Sequence, residues 1–260
     1  MADNEATVER SSPEDLRTLV DERQWYHTLE LAPGVVTKGL FDHVTHVTRY
    51  GIPADMSGLR ALDVGSFDGF WAFEMERRGA RVTALDVDGP EELDWPPRLR
   101  ALGAEAPNAK ISQRTNFALA RGALNSAVER ASLSVYEATP ERLGTFDVVF
   151  CGSLLIHLRD PLLALERMAA LCSGRLVLAE AYSRRLDWIP RVKVAEFRGE
   201  TPWMTWWLPT SRTLAAMTRC AGFEEVRLHD RFLLPFREGR GGVRHAIVHA
   251  RGPGGAPEPT

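Results

Sequence analysis

The chain has 260 residues, with 32 basic and 35 acidic side chains and a formal net charge of −3. A hydrophobic share of 44% supports one large α/β domain and excludes a chain that is mostly disordered. The balanced charge excludes a generally basic surface for polyanions. The cysteines, Cys151, Cys172 and Cys220, are scattered in apolar runs without metal-ligand spacing, so we expect reduced thiols in a cytoplasmic protein.

The two ends of the chain differ from its centre. Residues 1–14 are polar and acidic, and residues 252–260 are rich in Gly and Pro, so disorder is predicted for both. The N-terminal stretch lacks the features of a secretory signal, and no apolar run approaches the ~20 residues that span a bilayer. We therefore expect one domain over residues 15–251 and no membrane partner.

Short apolar runs bounded by turn residues predict five strands in the centre of the chain. They are residues 61–65, 81–87, 131–137, 146–152 and 174–182. Continuous runs of this kind are typical of parallel strands that are covered on both faces of a sheet. Residues 224–232 and 244–250 alternate apolar and polar side chains, which predicts an antiparallel pair at one edge.

Helical patterns lie between these strands. One follows the first strand and ends at Gly79, a residue suited to close a helix. Another begins at Asp160, an N-cap residue, and closes at Gly174, and a third runs from Ser211 to Gly222. The alternation predicts a doubly wound α/β fold that binds ligands at the carboxyl ends of the first and fourth strands.

The turn after the first strand, DVGSFDG, has the chemistry of a nucleoside site. Gly65 and Gly69 lack Cβ atoms, so the backbone can approach a ligand closely, and free N–H groups at the helix start point toward it. Asp86, about twenty residues after Gly65, ends the second strand, where a carboxylate can accept both ribose hydroxyls. We predict nucleoside binding here; the alternative is a tight βα turn followed by a surface acid.

The residues of the turn also distinguish between nucleosides. Dinucleotide-binding turns follow G-x-G-x-x-G, but Phe67 takes the place of the middle glycine here. Asp63 and Asp68 flank the turn, and two carboxylates disfavour a pyrophosphate and suit a ligand with an ammonium group. S-adenosylmethionine (SAM) carries an ammonium, a ribose and a cationic sulfonium, so it fits better than NAD.

The sequence resembles the class I SAM-dependent methyltransferases. LDVGSFDG is similar to their first motif, ALDVD to their second, and SVYEATPERLGTFDVVFCGSLLIHLRDPLLALERM to their third and fourth; the likeness extends from about residue 25 to about residue 250. It implies a Rossmann-like seven-stranded sheet with a C-terminal antiparallel hairpin and an N-terminal helical lid over residues 15–58. One methyltransferase domain would then cover residues 15–251.

The resemblance implies which residues contact SAM and its product, S-adenosylhomocysteine (SAH). In chain order they are Asp63, Gly65, Ser66, Phe67, Gly69, Asp86, Tyr136, Glu137, Cys151 and Gly152. The turn residues would hold the methionine part, with Phe67 packed beside the cofactor, and Asp86 would take the ribose hydroxyls. Tyr136 and Glu137 would lie by the adenine, and the last two residues would approach the sulfonium.

A narrower resemblance is to the branch that includes the tRNA wobble-uridine carboxymethyltransferases. It is carried by WYHTLELAPGVVTKGLFDH, SLLIHLRDP and WWLPTSRTLAAMTRCAGF. Lys38 matches a carboxylate-binding lysine of that branch. Ile156, however, stands where the branch has a tyrosine that recognises the extra carboxylate of its cofactor, and a basic N-terminal region for tRNA is missing. These departures favour methyl transfer to a small molecule.

One histidine, His157, follows the fourth strand, where the acceptor is expected. Imidazole titrates near neutrality and can take a proton from an oxygen or nitrogen acceptor. We predict His157 as a candidate general base. The alternatives are a histidine that only lines the site and one that is unrelated to it.

Aromatic side chains are concentrated in two further segments. Trp25, Tyr26 and His27 are interpreted, from the resemblance, as residues of the N-terminal lid. Residues 183–210 occupy the position of a substrate-recognition insertion, and their tryptophans favour a flat aromatic acceptor, with a small satellite core as the alternative. These tryptophans are Trp188, Trp203, Trp206 and Trp207.

Taken together, the sequence predicts a SAM-dependent methyltransferase acting on oxygen or nitrogen of a small, aromatic specialised metabolite. The alternatives are a tRNA wobble-uridine (carboxy)methyltransferase, a SAM-binding module without transfer activity, and an NAD dehydrogenase. No metal site is predicted, because His43 and His46 have ligand spacing but no third ligand nearby. The sequence assigns no function to residues 89–130, for which a wall of the acceptor pocket and a homodimer contact are the alternatives. Nucleic acid is a disfavoured partner.

Overall fold

The computed structural model describes residues 12–97, 113–200 and 204–255. In chain order, its strands are β1 (Trp25–His27), β2 (Glu30–Ala32), β3 (Val35–Val36), β4 (Gly39–Phe41), β5 (Arg60–Val64), β6 (Arg81–Asp86), β7 (Glu129–Ser132), β8 (Phe146–Gly152), β9 (Cys172–Ala181), β10 (Ala195–Phe197), β11 (Trp207–Pro209), β12 (Glu224–Pro235) and β13 (Gly242–Arg251). The α-helices are α1 (Pro13–Asp21), α2 (Phe70–Arg77), α3 (Gln113–Ala123), α4 (Pro140–Leu143), α5 (Pro161–Leu171), α6 (Arg184–Asp187) and α7 (Ser211–Cys220). No helix within these ranges is long and apolar enough to cross a membrane.

A seven-stranded mixed sheet in the order β12–β13–β9–β8–β5–β6–β7 forms the centre of the molecule. The five strands from β9 to β7 are parallel, whereas β13 pairs antiparallel with both β9 and β12. The strand order reverses between β5 and β8, whose register aligns Asp63 with Phe150 and Val64 with Cys151. This confirms the predicted doubly wound sheet and its C-terminal antiparallel hairpin, and it places the ligand-binding edge at the ends of β5 and β8.

The predicted parallel strands occur where buried apolar runs allow them. β8 covers residues 146–152 as predicted, because nearly all of its side chains are buried between the two helical layers. The third strand is shorter than predicted: β7 ends at Ser132, and Val135–Glu137 forms a 3-10 helix. The Ser134 hydroxyl accepts the N–H of Tyr136 at 3.4 Å, which caps that helix in place of a strand.

Helices cover both faces of the sheet. On one face α2 and α3 pack with residues of the N-terminal segment, in a core that includes Trp25, Phe70 and Phe117. On the other face α5 and α7 pack through Leu165 and Leu214. Asp160 caps α5 as predicted, because its carboxylate accepts a backbone N–H in the first turn. Helix α7 begins at Ser211 as predicted, and the Thr210 hydroxyl is its N-cap. Helix α5, however, ends at Leu171 and passes directly into β9, before the predicted end at Gly174.

The N-terminal segment is less helical than predicted. Besides α1 it contains a parallel pair, β1 and β4, an antiparallel pair, β2 and β3, and a 3-10 helix at Val44–Tyr50. Pairing of such short strands depends on contacts with the rest of the molecule, and β1 is held by the carboxylate of Asp68, 41 residues away from His27. Of residues 89–130, those from 98 to 112 lie outside the described residues. In the described part of this segment, α3 is the one α-helix.

Candidate active site

The turn from β5 to α2 has two positions with a positive φ that favours glycine. Gly65 has a φ of 76° and Gly69 a φ of 95°, and a Cβ at Gly69 would lie 2.4 Å from the ring of Phe73. The N–H groups of Gly65 and Ser66 donate to the carbonyl of Leu85 at 2.9 and 3.3 Å, which fastens the turn to the end of β6. The turn therefore has a fixed shape before any ligand is bound.

Asp86 stands at the end of β6, beside this turn, and lines the cleft. Its Oδ2 accepts the N–H of Phe67 at 2.7 Å and its Oδ1 accepts the N–H of Val87 at 2.8 Å. Burial raises the pKa of Asp86 to about 6, while these backbone hydrogen bonds act in the opposite direction. Each oxygen retains lone-pair capacity, so the carboxylate can accept further hydrogen bonds from a pair of hydroxyls.

Two buried oxygen atoms on either side of Gly65 lack hydrogen-bond partners within the described residues. They are Oδ2 of Asp63 and Oγ of Ser66. Burial, followed by the charge of Asp86, raises the pKa of Asp63 to about 8. A buried unsatisfied polar group costs about 1–3 kcal/mol. The glycine turn therefore has spare acceptors that fit a ligand carrying an ammonium group, such as the methionine part of SAM.

Asp68, which we expected to face the same ammonium, has a different role. Its Oδ2 accepts the N–H groups of Tyr26 and His27, each at 2.9 Å, and its Oδ1 contacts Nδ1 of His27. Both carboxylate oxygens are thus bound by β1. Of the two acids that flank the turn, Asp63 is the one with a free acceptor.

A cleft opens at the carboxyl ends of β5, β6 and β8, with about 960 Å³ of empty space when its opening to solvent is included. Four of the residues predicted to contact SAM line it: Gly65, Phe67, Asp86 and Gly152. An adjoining cleft of about 730 Å³ shares Gly65 and Asp86 with the first and is lined by Tyr136. The Tyr136 hydroxyl donates to Asp94 at 2.8 Å, and burial raises its pKa. The two clefts together provide one continuous surface past the glycine turn.

Four histidines from distant parts of the chain line the larger cleft: His27, His43, His157 and His245. Nδ1 of His157 lies 2.8 Å from the carbonyl oxygen of Met204, and burial lowers the pKa of His157. Burial also lowers the pKa of His245 to about 4 and that of His43 well below its usual range. These three imidazoles are therefore neutral near pH 7. His157 lines the cleft as expected, and its role as a base stays a prediction.

Tyr26 of the predicted lid lines the cleft with His27, but Trp25 is buried in the core, where its indole N–H donates to the carbonyl of Val20 at 3.1 Å. Lys38 is also away from the cleft: its side chain is 66% exposed and its ammonium lies 2.8 Å from Asp21. The position of Lys38 gives no support to recognition of a carboxylate on the cofactor.

Two residues predicted to contact SAM have side chains committed elsewhere. Glu137 is exposed and pairs with Arg142 at 3.2 Å. Cys151 is fully buried in the core at the end of β8, and burial raises the pKa of its thiol well above the usual range. Neither residue is among those that line the two clefts, and contact between them and SAM stays a prediction.

The insertion tryptophans contribute less to the cleft than expected. Trp206 is buried, and its indole N–H donates to the carbonyl of Asp94 at 2.7 Å with Arg159 stacked over its ring. Trp207, in the β10–β11 pair, lines a separate groove, and Trp188 is 75% exposed. Trp203 lies outside the described residues. The insertion reaches the larger cleft through Met204, which packs with Trp95 in a small satellite core.

Several cleft residues have no sequence signal of their own. Tyr50 ends the 3-10 helix of the N-terminal segment, and its hydroxyl lies 2.9 Å from Nδ1 of His43. Ser153, directly after Gly152, has a φ of 52°, and its hydroxyl lies 2.8 Å from Nε2 of His245. Positive φ at a non-glycine residue after a sheet strand is typical of functional sites, but it cannot be read from sequence.

Comparison with known proteins gives a family for most of the chain. A sequence model of the family described as methyltransferase domain matches residues 40–228. The chain is 31% identical over 127 residues to a ubiquinone biosynthesis O-methyltransferase of Xanthomonas oryzae pv. oryzae, covering 48% of the chain and 44% of that relative. It is 35% identical over 114 residues to the protein of the same name from Vibrio campbellii, covering 44% and 39%. The chain thus spans less than half the length of these relatives.

A solved structure supports the fold. The N-terminal domain of EvdMO1, solved with SAH bound, superposes with a TM-score of 0.61 at 20% identity, covering 94% of this chain and 98% of that one. This likeness extends the match in fold to parts of the chain outside the family match. The narrower resemblance to the carboxymethyltransferase branch is not confirmed by these matches.

Proposed function

The chain belongs to the family of methyltransferase domains, and from this premise we propose that it transfers the methyl group of SAM to an oxygen or nitrogen of a small, aromatic acceptor. The observation that carries the proposal is the pair of buried acceptors beside the glycine turn, Asp63 Oδ2 and Ser66 Oγ. An ammonium group has three donors and no acceptor, so it matches this pair. A pyrophosphate is anionic, and the neighbouring carboxyl groups of Asp63 and Asp86 disfavour it.

The rest of the cofactor follows the two clefts. Asp86 would take the ribose hydroxyls, and the adjoining cleft at Tyr136 would receive the adenine. Bound SAM would supply an electrophilic methyl group on a cationic sulfur. The chain's own contribution is to hold the acceptor in line with that methyl group, and positioning of this kind supplies much of the rate enhancement in a displacement reaction.

The walls of the larger cleft indicate the acceptor. Apart from Asp86 its side chains are aromatic, aliphatic, imidazole or hydroxyl groups, and none of the described lining residues is Lys or Arg. Such walls favour an uncharged, flat molecule over one that carries a carboxylate or phosphate. The matched relatives are named as O-methyltransferases, which supports oxygen as the acceptor atom.

We also propose that the enzyme is cytoplasmic. The free thiols of Cys151, Cys172 and Cys220 support this compartment, because reduced cysteines are typical of cytoplasmic proteins.

The experiment that tests this proposal is isothermal titration with ligands that differ by one part. SAH, 5′-methylthioadenosine, which lacks the amino-acid part, and NAD would be titrated into the wild type and into Asp63→Asn and Asp86→Asn. A hydrogen bond to a charged group is worth about 1.5–3 kcal/mol, so Asp63→Asn should weaken SAH by about 10- to 100-fold. The same variant should leave 5′-methylthioadenosine nearly unchanged, whereas Asp86→Asn should weaken both.

The affinities of the wild type and the variants for these ligands distinguish SAM from NAD as the cofactor. Binding of NAD in preference to SAH would overturn the proposal. Equal losses of SAH and 5′-methylthioadenosine in Asp63→Asn would contradict the assignment of Asp63 to the ammonium group. Ser66→Ala serves as a second, uncharged probe of the same end of the site and should also affect SAH alone.

A further inference from the structure

The pair formed by His27 and Asp68 is unlike the other polar contacts around the cleft. His27 is 5% exposed and Asp68 is fully buried, and Nδ1 of His27 contacts Oδ1 of Asp68. The other oxygen of Asp68 accepts the N–H groups of both Tyr26 and His27. The carboxylate therefore fixes the ring of His27 and the strand that carries it in one arrangement, and the ring also stacks on Phe70 with centroids 5.5 Å apart.

This contact sets the hydrogen positions of the imidazole. An ionised carboxylate can only accept, so Nδ1 of His27 carries the hydrogen of this contact, and in the neutral imidazole Nε2 carries the lone pair. His27 lines the cleft, and Nε2 is the ring nitrogen left for a ligand there. A carboxylate on Nδ1 also stabilises the imidazolium that forms when Nε2 takes a proton.

The other three histidines of the cleft have neutral partners. Nδ1 of His157 lies against the carbonyl of Met204, and Nδ1 of His43 lies against the hydroxyl of Tyr50. Both nitrogens of His245 are within hydrogen-bond distance of protein atoms, Nε2 of the Ser153 hydroxyl and Nδ1, at 3.2 Å, of the Val243 carbonyl. Of the four imidazoles, His27 is therefore the one whose charged form is compensated by a carboxylate contact.

We propose that His27, oriented by Asp68, is the general base of the reaction, and that the acceptor is a neutral hydroxyl compound of the phenol class. The proposal rests on the proposed function. The acceptor oxygen gives its proton to Nε2 of His27 while its lone pair forms the bond to the methyl carbon. The electron pair of the broken carbon–sulfur bond leaves with sulfur as SAH, and the proton passes from His27 to solvent after the products depart.

The choice of a hydroxyl follows from the need for a base. A neutral amine already has a nucleophilic lone pair, whereas a phenol or alcohol becomes strongly nucleophilic only when its proton is removed. A general base typically contributes about 10²–10⁴-fold to the rate. A buried, carboxylate-backed imidazole in a cleft without Lys or Arg among its described lining residues therefore suits a hydroxyl acceptor.

The Asp68→Asn variant tests whether Asp68 sets the tautomer of His27, because it changes that contact and keeps the hydrogen bonds to β1. The amide oxygen can keep the hydrogen bonds from Tyr26 and His27, while the amide nitrogen donates to Nδ1 of His27. The neutral imidazole must then carry its hydrogen on Nε2, which loses the lone pair that would take a proton. His27→Gln removes the proposed base, and His157→Gln removes the other candidate base. His229 is an exposed histidine on β12, so His229→Gln is the control that should behave as wild type.

The first readout needs no acceptor. In ¹⁵N-histidine spectra of the ligand-free wild type, we expect His27 as the Nδ1–H tautomer with a far-downfield Nδ1 proton. In Asp68→Asn we expect the Nε2–H tautomer, with SAH affinity within about threefold of wild type, since the cofactor contacts are intact. An Nε2–H tautomer in the wild type, or no change of tautomer in Asp68→Asn, would overturn the proposal.

The second readout is turnover of phenol compared with 4-nitrophenol at a pH where 4-nitrophenol is ionised. His27→Gln and Asp68→Asn should lose about 10²–10⁴-fold in kcat with phenol and less than about tenfold with 4-nitrophenol, which has no proton to give up. Equal losses on both, or this pattern in His157→Gln instead, would overturn the role of His27. Failure of the proposed function has a different signature: the wild type would not bind SAH, whatever the tautomer of His27.

Discussion

Asp63 should make the ligand-free protein less stable as pH rises, and Asp63→Asn should remove this effect. The pKa of Asp63 is raised from its ordinary value of 3.8 to about 8, chiefly by burial and then by the charge of Asp86. Between these values the folded chain holds a proton that the unfolded chain has released. A group with a raised pKa in the folded state contributes stability below the unfolded pKa and loses it as pH rises toward the folded pKa.

The expected size of the effect follows from this difference in bound protons. Each pH unit between about 4 and 8 should remove about 1.4 kcal/mol from the free energy of unfolding of the wild type. Asn cannot titrate, so between pH 5 and pH 7 the variant should gain about 3 kcal/mol relative to the wild type. All other groups titrate in both proteins, and their contributions largely cancel in the comparison.

The assay is urea unfolding of both proteins at pH 5, 6 and 7 without ligand, with Ser66→Ala as the matched control. Ser66 Oγ is the other unpartnered atom of the turn but does not titrate, so Ser66→Ala should follow the pH profile of the wild type. Parallel profiles for Asp63→Asn and the wild type would refute the reasoning. Such a result would mean that Asp63 is ionised in the folded protein and is satisfied by a donor before SAM arrives.

Three further predictions concern the turn, the insertion and Lys38. Gly69→Ala should lower the free energy of unfolding by about 2 kcal/mol or more in urea titrations, because an alanine at a φ of 95° is strained and its Cβ meets Phe73; a loss below about 0.5 kcal/mol would contradict this. Asp187→Ala should cost about 1–3 kcal/mol by the same assay, because the buried Ser211 hydroxyl loses its acceptor while the half-exposed guanidinium of Arg231 stays solvated; a cost under about 0.5 kcal/mol would show that water replaces the carboxylate. Lys38→Ala should leave calorimetric affinities for SAH and carboxy-SAM unchanged, and a selective loss of carboxy-SAM would restore the carboxymethyl interpretation.

Local features of the sequence were enough to predict the sheet and the position of its ligand edge. The β8 strand is a continuous buried run, and the DVGSFDG turn contains the glycines that its positive φ angles require. Asp86 was predicted to lie at the edge because it ends an apolar run, and it does line the cleft. These signals depend on residues close together in the chain, so they can be recognised from the sequence alone.

The contacts that give the cleft its chemistry are long-range and were not predictable. His27 and Asp68 are 41 residues apart, and Ser153 and His245 are 92 apart, so no spacing rule connects them. The assignment of Asp68 to the ligand was wrong for this reason: its position in the turn was right, but β1 occupies both of its oxygens. The burial of Trp25 and Trp206 could likewise not be predicted, because the sequence does not distinguish an aromatic residue in a core from one in a pocket.

The measurement that tests the central claim most directly is transfer of a labelled methyl group. The protein would be incubated with SAM deuterated at the methyl group and a panel of phenols, alcohols and aromatic amines, and the products analysed by mass spectrometry. We predict a labelled aryl methyl ether formed in equal amount with SAH. Binding of SAM and SAH with no label on any acceptor in the panel would contradict the account and identify the chain as a binding module.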